Sequence, residues 1–415
     1  MNDPRELYTD GLTEALSEVL RKQEITSKSP GPILADVQAL IDRIGEGLPT
    51  TSKYFVLPQG RLGDLNQRLT EPLKHRLKRP QLRSLPALMG LFLLLRGSGL
   101  AVGQTKPKRM LTIDPAMLRQ WNSLNPTEQY MSLLESWLLT ASWEAVGKRG
   151  SYGGGMQQEI VSVYMKLDDT ITKPSDSQYE LFYGLSDAVT LDLLHQFGWV
   201  RLTYESKVAE GKTARVQTIE RLPFGDAMFA AACDLGISAS RDAQLPRKTL
   251  KPFFPEWKRS LEVLEPDFQD GQYTLKLSLG NVWRRLVAPA ETTLEEVADI
   301  LLDAFGFDDD HAYQFEFRDR HGREVNAVHP SIRDAEAFAD EIRLGDLPLG
   351  EGDAMTFLFD FGDSWLFKVL IEEVSEPTSR RSRPEITERS GTPPKQYDYD
   401  EDDDEYEDDG DDSWE

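Results

Sequence analysis

One arrangement occurs twice in this chain and limits what it can fold into. It is an apolar helix, a glycine, a strand, a polar turn, a return strand and a further helix. The first copy has a buried helix predicted over 84–96 and continues as GSGLAVGQTKPKRMLTID. The second has a helix predicted over 185–197, with Leu185, Val189, Leu193 and Leu194 spaced to lie on one face. It continues as the alternating strand GWVRLTYES, the turn VAEGKTA, the strand RVQTIERL and the helix PFGDAMFAAACDL. A glycine after each apolar helix suits a helix end, and Pro223 suits a helix start. Two such units cannot share their chain with a single small core, and 415 residues call for two or three domains.

The flanking segments differ in texture. Residues 1–45 are polar with helical spacing at Leu12, Leu16, Val19 and Leu20 and at Ile33, Leu34, Val37, Leu40 and Ile41, separated by the breaker SKSPGP. From 271 to 374 the pattern changes. YTLKLSL and YQFEFRDR alternate as half-buried strands do, and TFLFDF and SWLFKVLIEEV flank Gly362. Between them lies the helix LEEVADILLDAF, with Thr292 and Thr293 placed to cap it and Glu295 and Glu296 in its first turn. The expected class is α+β multidomain. It comprises a helical segment (1–45), repeated units at 46–148 and 149–240, a linker (241–268), an α+β sheet-and-helix domain (269–376) and a disordered acidic tail (377–415).

Charge is divided along the chain. The formal net charge is −24, but 13 acidic residues and no basic one lie between Tyr397 and Glu415. Between Arg61 and Gln120 there are 12 Lys and Arg against 3 Asp and Glu. The basic stretch could meet polyanions and the tail would repel them. The tail reads as a solubilising extension or as a competitor for the basic block. One cysteine, Cys233, cannot form an internal disulfide. The longest apolar run, LPALMGLFLLL, is too short for a bilayer span, and the N-terminus lacks an apolar signal core. A cytoplasmic protein with no membrane contact is the expectation.

Several motifs bear on chemistry. In DFGDSW, Asp360 and Asp363 are spaced for a carboxylate pair, while Phe359, Phe361 and Trp365 suit packing. The commoner reading has Gly362 taking a positive φ and Asp363 bonding the turn backbone. Asp308, Asp310 and His311 are weak metal candidates in what is otherwise a solvated loop. His311, His321 and His329 fall on one expected domain without ligand spacing. Trp283, Arg284 and Arg285 end a strand, and the arginines either clamp an anion or pair with nearby acids. The ligand-binding candidates are thus Trp283, Arg284, Arg285, His311, Tyr313, Asp360, Asp363 and Trp365. The DNA-phosphate candidates are Lys74, Arg76, Lys78, Arg79 and Arg83, with Lys106, Lys108 and Arg109 in the polar turn of the first copy. The adjacent helix LPALMGLFLLLR is too apolar to read base edges. No nucleotide loop, nucleophile elbow or zinc-protease motif occurs, SYGGG at 151–155 reads as a turn, and no cofactor is implied.

Two resemblances follow. The repeated unit, carried by GSGLAV…RMLTID and FGWVRLTYES…RVQTIERLPFG, resembles a winged helix-turn-helix. The C-terminal domain resembles the plasmid pRiA4b third-open-reading-frame family, also labelled insertion-element passenger proteins. The motifs are VWRR at 282–285, the Pro289 and Thr293-Leu294 step, FDDDHAYQF at 307–315 and FDFGDSW at 359–365. That resemblance implies a compact α+β domain with no established enzymatic activity. Many members carry a histidine where this chain has Phe367, a tryptophan where it has Phe307, and a cysteine-bearing segment after the domain that is absent here. The expected function is a non-enzymatic binding or adaptor protein with a protein partner, an accessory factor of mobile-element or defence biology. The alternative is a DNA-binding regulator using the basic 61–120 region gated by the tail. A metal-dependent hydrolase on Asp308–His311 and Asp360/Asp363 ranks last.

Overall fold

The computed structural model describes residues 4, 6–7, 11–45, 47–148, 156–167, 171–174, 184–234, 245–263, 267–377 and 383–397. SYGGG and the acidic run from 398 onward lie outside these residues. The chain is mixed α+β and divides into two compact units. The first is Met1–Glu265 with Arg318–Glu324, and the second is Pro266–Phe317 with Val325–Glu415. His321 therefore groups with the first unit, apart from His311 and His329, contrary to the expectation from sequence position.

In the first unit α1 (Glu14–Lys22), capped by Thr13, and α2 (Ile33–Ile44) precede the short strand β1 (Leu48–Pro49). Then come α3 (Leu62–Gln67), α4 (Pro86–Gly97), β2 (Ala101–Gln104) and β3 (Met110–Ile113). The three strands form an antiparallel sheet in the order β1–β3–β2. Helices α5 (Pro115–Ser123) and α6 (Pro126–Glu135) follow, each with proline in its first turn. Asp114 caps α5, and an Asn125–Glu128 capping box starts α6, as those side chains predict. The plan recurs with α7 (Met156–Tyr164), β4 (Ile171–Thr172), α8 (Leu185–Gln196), β5 (Val200–Tyr204) and β6 (Val216–Arg221). Its sheet order is β4–β6–β5, and α9 (Pro223–Asp234) follows it.

The two repeats share one core, whose buried residues run from Leu7 to Trp257. Helix α4 is buried from Leu88 to Gly97 and α8 from Ala188 to Gln196. The expectation of an amphipathic α8 is thus corrected, because α8 is enclosed all round, with α4 on one side. The contact is close at Gly90, where an added Cβ would stand 2.7 Å from Leu193 Cγ. The stretch expected to be a linker also belongs to this core. After α10 (Leu245–Leu250), Phe254 and Trp257 are buried, and the backbone N–H groups of Arg259 and Leu261 donate to Glu128 Oε1 and Ser132 Oγ on α6.

The second unit is an eight-stranded sheet with one long helix. Strands β7 (Gln272–Leu279) and β8 (Val282–Pro289) form a hairpin. Trp283, Arg284 and Arg285 open β8 and do not end a strand. The reason is the two-residue turn Gly280-Asn281, with Gly280 at φ 58°, the first-position glycine that a type II′ turn demands. Helix α11 (Leu294–Phe305) has the Thr293–Glu296 capping box and buries Leu294, Val297, Leu301, Leu302 and Phe305. Strands β9 (Tyr313–Arg318), β10 (Glu324–Val328), β11 (Ala337–Phe338), β12 (Ala354–Phe359) and β13 (Trp365–Ser375) complete the domain outlined by the sequence pattern. Phe315, Phe357, Phe359 and Phe367 project into the core, each worth roughly 1.5–3 kcal/mol of apolar burial. One strand was unexpected. β14 (Glu385–Ser390), within the stretch read as tail, pairs antiparallel with β8, giving the order β11–β10–β9–β12–β13–β7–β8–β14. No apolar alternation marks it, because Ile386 is the one apolar residue of EITERS and the rest is polar.

Candidate functional site

The FDFGDSW turn links β12 to β13, with Phe359 paired to Trp365. Asp360 (φ 55°) and Ser364 (φ 56°) both hold left-handed backbone, and Gly362 does not, which corrects the expectation. Asp360 can do this because its Oδ1 accepts from the N–H of Gly362 (2.8 Å) and of Asp363 (3.4 Å). Asp360, not Asp363, is therefore the residue that bonds the turn. Its N–H donates to the Ala312 carbonyl (3.2 Å) and its carbonyl accepts from Ser364 N–H (2.7 Å). Phe359 is buried, and Trp365 meets Phe307 edge-on at 5.0 Å. Phe361, expected to pack, is 48% exposed, as Leu366 is at 56%.

The loop between α11 and β9 meets this turn. His311 Nδ1 lies 2.9 Å from Asp310 Oδ1, and its Nε2 lies 3.7 Å from Asp360 Oδ2. The Asp310 bond, reinforced by the charges of Asp360 and Asp363, holds the imidazolium above its ordinary range. His311 and Tyr397 in turn hold the Asp310 carboxyl low. Two residues not singled out by sequence complete the cluster. The Tyr397 hydroxyl donates to Asp310 Oδ2 (2.7 Å), and Gln396 brackets Asp308 with Oε1 on its N–H (2.5 Å) and Nε2 on its carbonyl (3.2 Å). No pattern marks a glutamine that bonds another residue's main chain, and both residues fall within the stretch 377–415 expected to be tail.

The structure thus gathers Asp310, His311, Asp360 and Asp363, while Trp365 packs on Phe307. It engages Asp308 through its backbone. Among the described residues no group of three His, Cys, Asp or Glu is arranged to hold a metal ion. Tyr313 is fully buried, edge-on to His329 at 4.8 Å, with its hydroxyl unbonded. Burial and the surrounding carboxylates of Glu295, Asp299, Asp309 and Asp340 raise its pKa.

Trp283, Arg284 and Arg285 do not join the cluster. Arg284 is 4% exposed and donates to the carbonyls of Ala304 (2.9 Å), Trp283 (2.9 Å) and Ser390 (3.1 Å), with Phe305 beneath it. It pairs with no acid, contrary to expectation, because the carbonyls at the α11 C-terminus and the end of β14 already take its donors. Arg285 pairs with Glu372 at 2.7 Å and with Glu388. Trp283 carries Lys276 and Arg285 over its ring.

In the first unit Lys74, Arg76, Lys78, Arg79, Arg83, Lys106 and Lys108 are exposed. Arg109 is half-buried over Phe55. The basic stretch is tied to the β5–β6 turn: Ala214 N–H donates to the Lys74 carbonyl (2.8 Å) and Arg76 N–H to that of Lys212 (2.9 Å). Arg76 also pairs with Glu210 at 2.6 Å. A buried titratable group lies nearby on α8. Burial pushes Asp192 up to about 6 while its Oδ1 accepts from Tyr204 (2.5 Å). Burial opposes charge on His195, but Glu71, 3.4 Å away, and Asp192 outweigh it and raise its pKa.

The strands and motifs of the second unit can now be set against known proteins. Residues 272–400 match the family model of the plasmid pRiA4b ORF-3-like protein. The expectation for the C-terminal domain holds, and the match extends past β14, so that strand and the Gln396–Tyr397 segment fall inside the pRiA4b-type region. No curated protein matches the chain. The crystal structure of a protein of unknown function from Methanosarcina mazei Go1 aligns at 22% identity. That alignment covers 29% of this chain and 70% of the other, with a TM-score of 0.27. No helix among the described residues is long and apolar enough to cross a membrane.

Proposed function

We propose that this is a non-enzymatic binding protein, an adaptor whose first unit carries two winged-helix-like repeats that contact protein and do not read DNA bases. The order β1–β3–β2, repeated as β4–β6–β5, with α4 and α8 each preceding a hairpin, supports the winged-helix reading. In such a fold the helix before the hairpin is the one that enters the major groove. The observation that carries the proposal is that α4 and α8 are buried against each other, leaving neither free to reach base edges. The likeness of residues 272–400 to a plasmid-encoded family supports a cytoplasmic accessory role in mobile-element or defence biology.

The exposed Lys74, Lys78, Arg79, Arg83, Lys106 and Lys108 favour a second reading, phosphate contact without base reading, gated by the acidic tail. Fluorescence anisotropy with duplex DNA across a salt series separates the two. The adaptor reading expects no binding at low salt by the full chain or by a chain ending at Tyr397. A steep salt slope in the shortened chain, reduced in the full chain and lost on replacing Lys78 and Arg79 by Ala, would establish the second reading and overturn the first.

A further inference from the structure

Gln396 and Tyr397 immediately precede the acidic run, yet both are seated on an acidic loop. Gln396 uses its side-chain amide as a strand uses its backbone. Its Oε1 accepts from Asp308 N–H at 2.5 Å and its Nε2 donates to the Asp308 carbonyl at 3.2 Å. The same Nε2 reaches Asp310 Oδ1 (3.0 Å) and the Tyr397 hydroxyl (2.8 Å). That hydroxyl donates to Asp310 Oδ2 at 2.7 Å and lies 3.2 Å from His311 Nδ1. The groups facing His311 are Asp310 from its own loop, Asp360 and Asp363 from the β12–β13 turn, and Tyr397, with the Phe359 ring beside it.

The charges make this seat conditional. Asp308, Asp309, Asp310, Asp360 and Asp363 lie on the loop and the turn, and the chain leaving Tyr397 reads DYDEDDD. The carboxylates of the loop and the turn crowd the seat, a repulsion that the central His311 cation relieves. We infer that residues 308–311, backed by Asp360, form a peptide-docking site for a side-chain amide followed by a phenol. The chain fills this site itself with Gln396–Tyr397, and the charge on His311 decides whether that occupant stays. The inference stands whether or not the first unit binds DNA.

The direction with pH follows from the three groups. His311 is raised, so its contribution is complete below its unfolded value of about 6.5 and is lost as pH rises through the higher folded value. Asp310 is lowered, so its contribution persists into the acid range. Tyr397, pushed up to about 12 by burial and by Asp310, remains a donor throughout. The seat is therefore held more tightly from mildly acidic to near-neutral pH than above it.

Hydrogen exchange of the full chain, followed by mass spectrometry on the peptide around Asp308 and corrected for intrinsic rates, reads the seat directly. Between about pH 5.5 and 8.5 protection should fall, in the direction set by the raised His311. Gln396→Ala should remove the protection at the lower pH. Tyr397→Phe, which keeps the Gln396 bracket, should lower it severalfold. His311→Gln should abolish the pH step. Protection that is flat with pH in the native chain, equal in Gln396→Ala, or still stepped in His311→Gln would overturn the inference.

Discussion

At the residue scale, Asp360 shows how a motif's letters and its work can part. The composition of DFGDSW names the turn, and glycine is the ordinary choice for left-handed backbone. Aspartate can take that conformation when its side chain bonds the following N–H groups, and whether it does depends on the geometry imposed by β12 and β13. Nothing local to the sequence distinguishes Asp360 from Asp363. Asp360→Ala should lower stability by roughly 2 kcal/mol, from left-handed strain and a lost acceptor, whereas Asp360→Asn should cost well under half as much. Urea midpoints of the full chain compare the two, and equal losses would refute the account. Arg284 makes the same point, since an arginine beside many acids reads as an ion pair until the helix end and strand that claim its donors are in place.

At the element scale, several helices and strands are legible because each carries its own signal: the threonine cap at Thr293, alternation in β7 and β9, and the proline opening α9. What was hidden lies between elements. Leucine spacing on 185–196 suggests one apolar face, but enclosure by α4 buries the remainder as well. Gly90 looks like a propensity defect in α4, and only the approach of Leu193 explains it. Gly90→Val should destabilise the chain by roughly 1–3 kcal/mol through overpacking. The double variant with Leu193→Ala should lose less than the sum of the two single changes. Additive losses in thermal or urea unfolding would mean that the two helices do not meet there. β14 is hidden for the opposite reason: Ile386 alone in this edge strand packs against the core, which sets no hydrophobic period to read.

At the scale of the whole molecule, acid titration should leave a trace in stability. Asp192 is raised to about 6 by burial, so the folded chain holds its proton more tightly than the unfolded chain does. Its contribution to stability is therefore complete below its unfolded value near 3.9 and is lost as pH climbs through about 6. His195, also raised, adds a decline above about 6.5. Asp192→Asn should remove the first decline and raise stability near pH 7.5 by about 1–3 kcal/mol, read from urea midpoints at pH 5 and 7.5. An unchanged pH slope would assign the effect elsewhere. The order of strands in the second unit carries a different consequence. β7 lies beside β13, so the first hairpin of this sheet, complete at Pro289, finds its inner neighbour only when the chain has reached Trp365. During synthesis the β7–β8 ribbon must wait with both outer edges bare, that of β7 until Trp365–Ser375 emerges and that of β8 until Glu385–Ser390 does. This is the interval in which the nascent chain is most open to a chaperone or to a neighbouring polysome's copy.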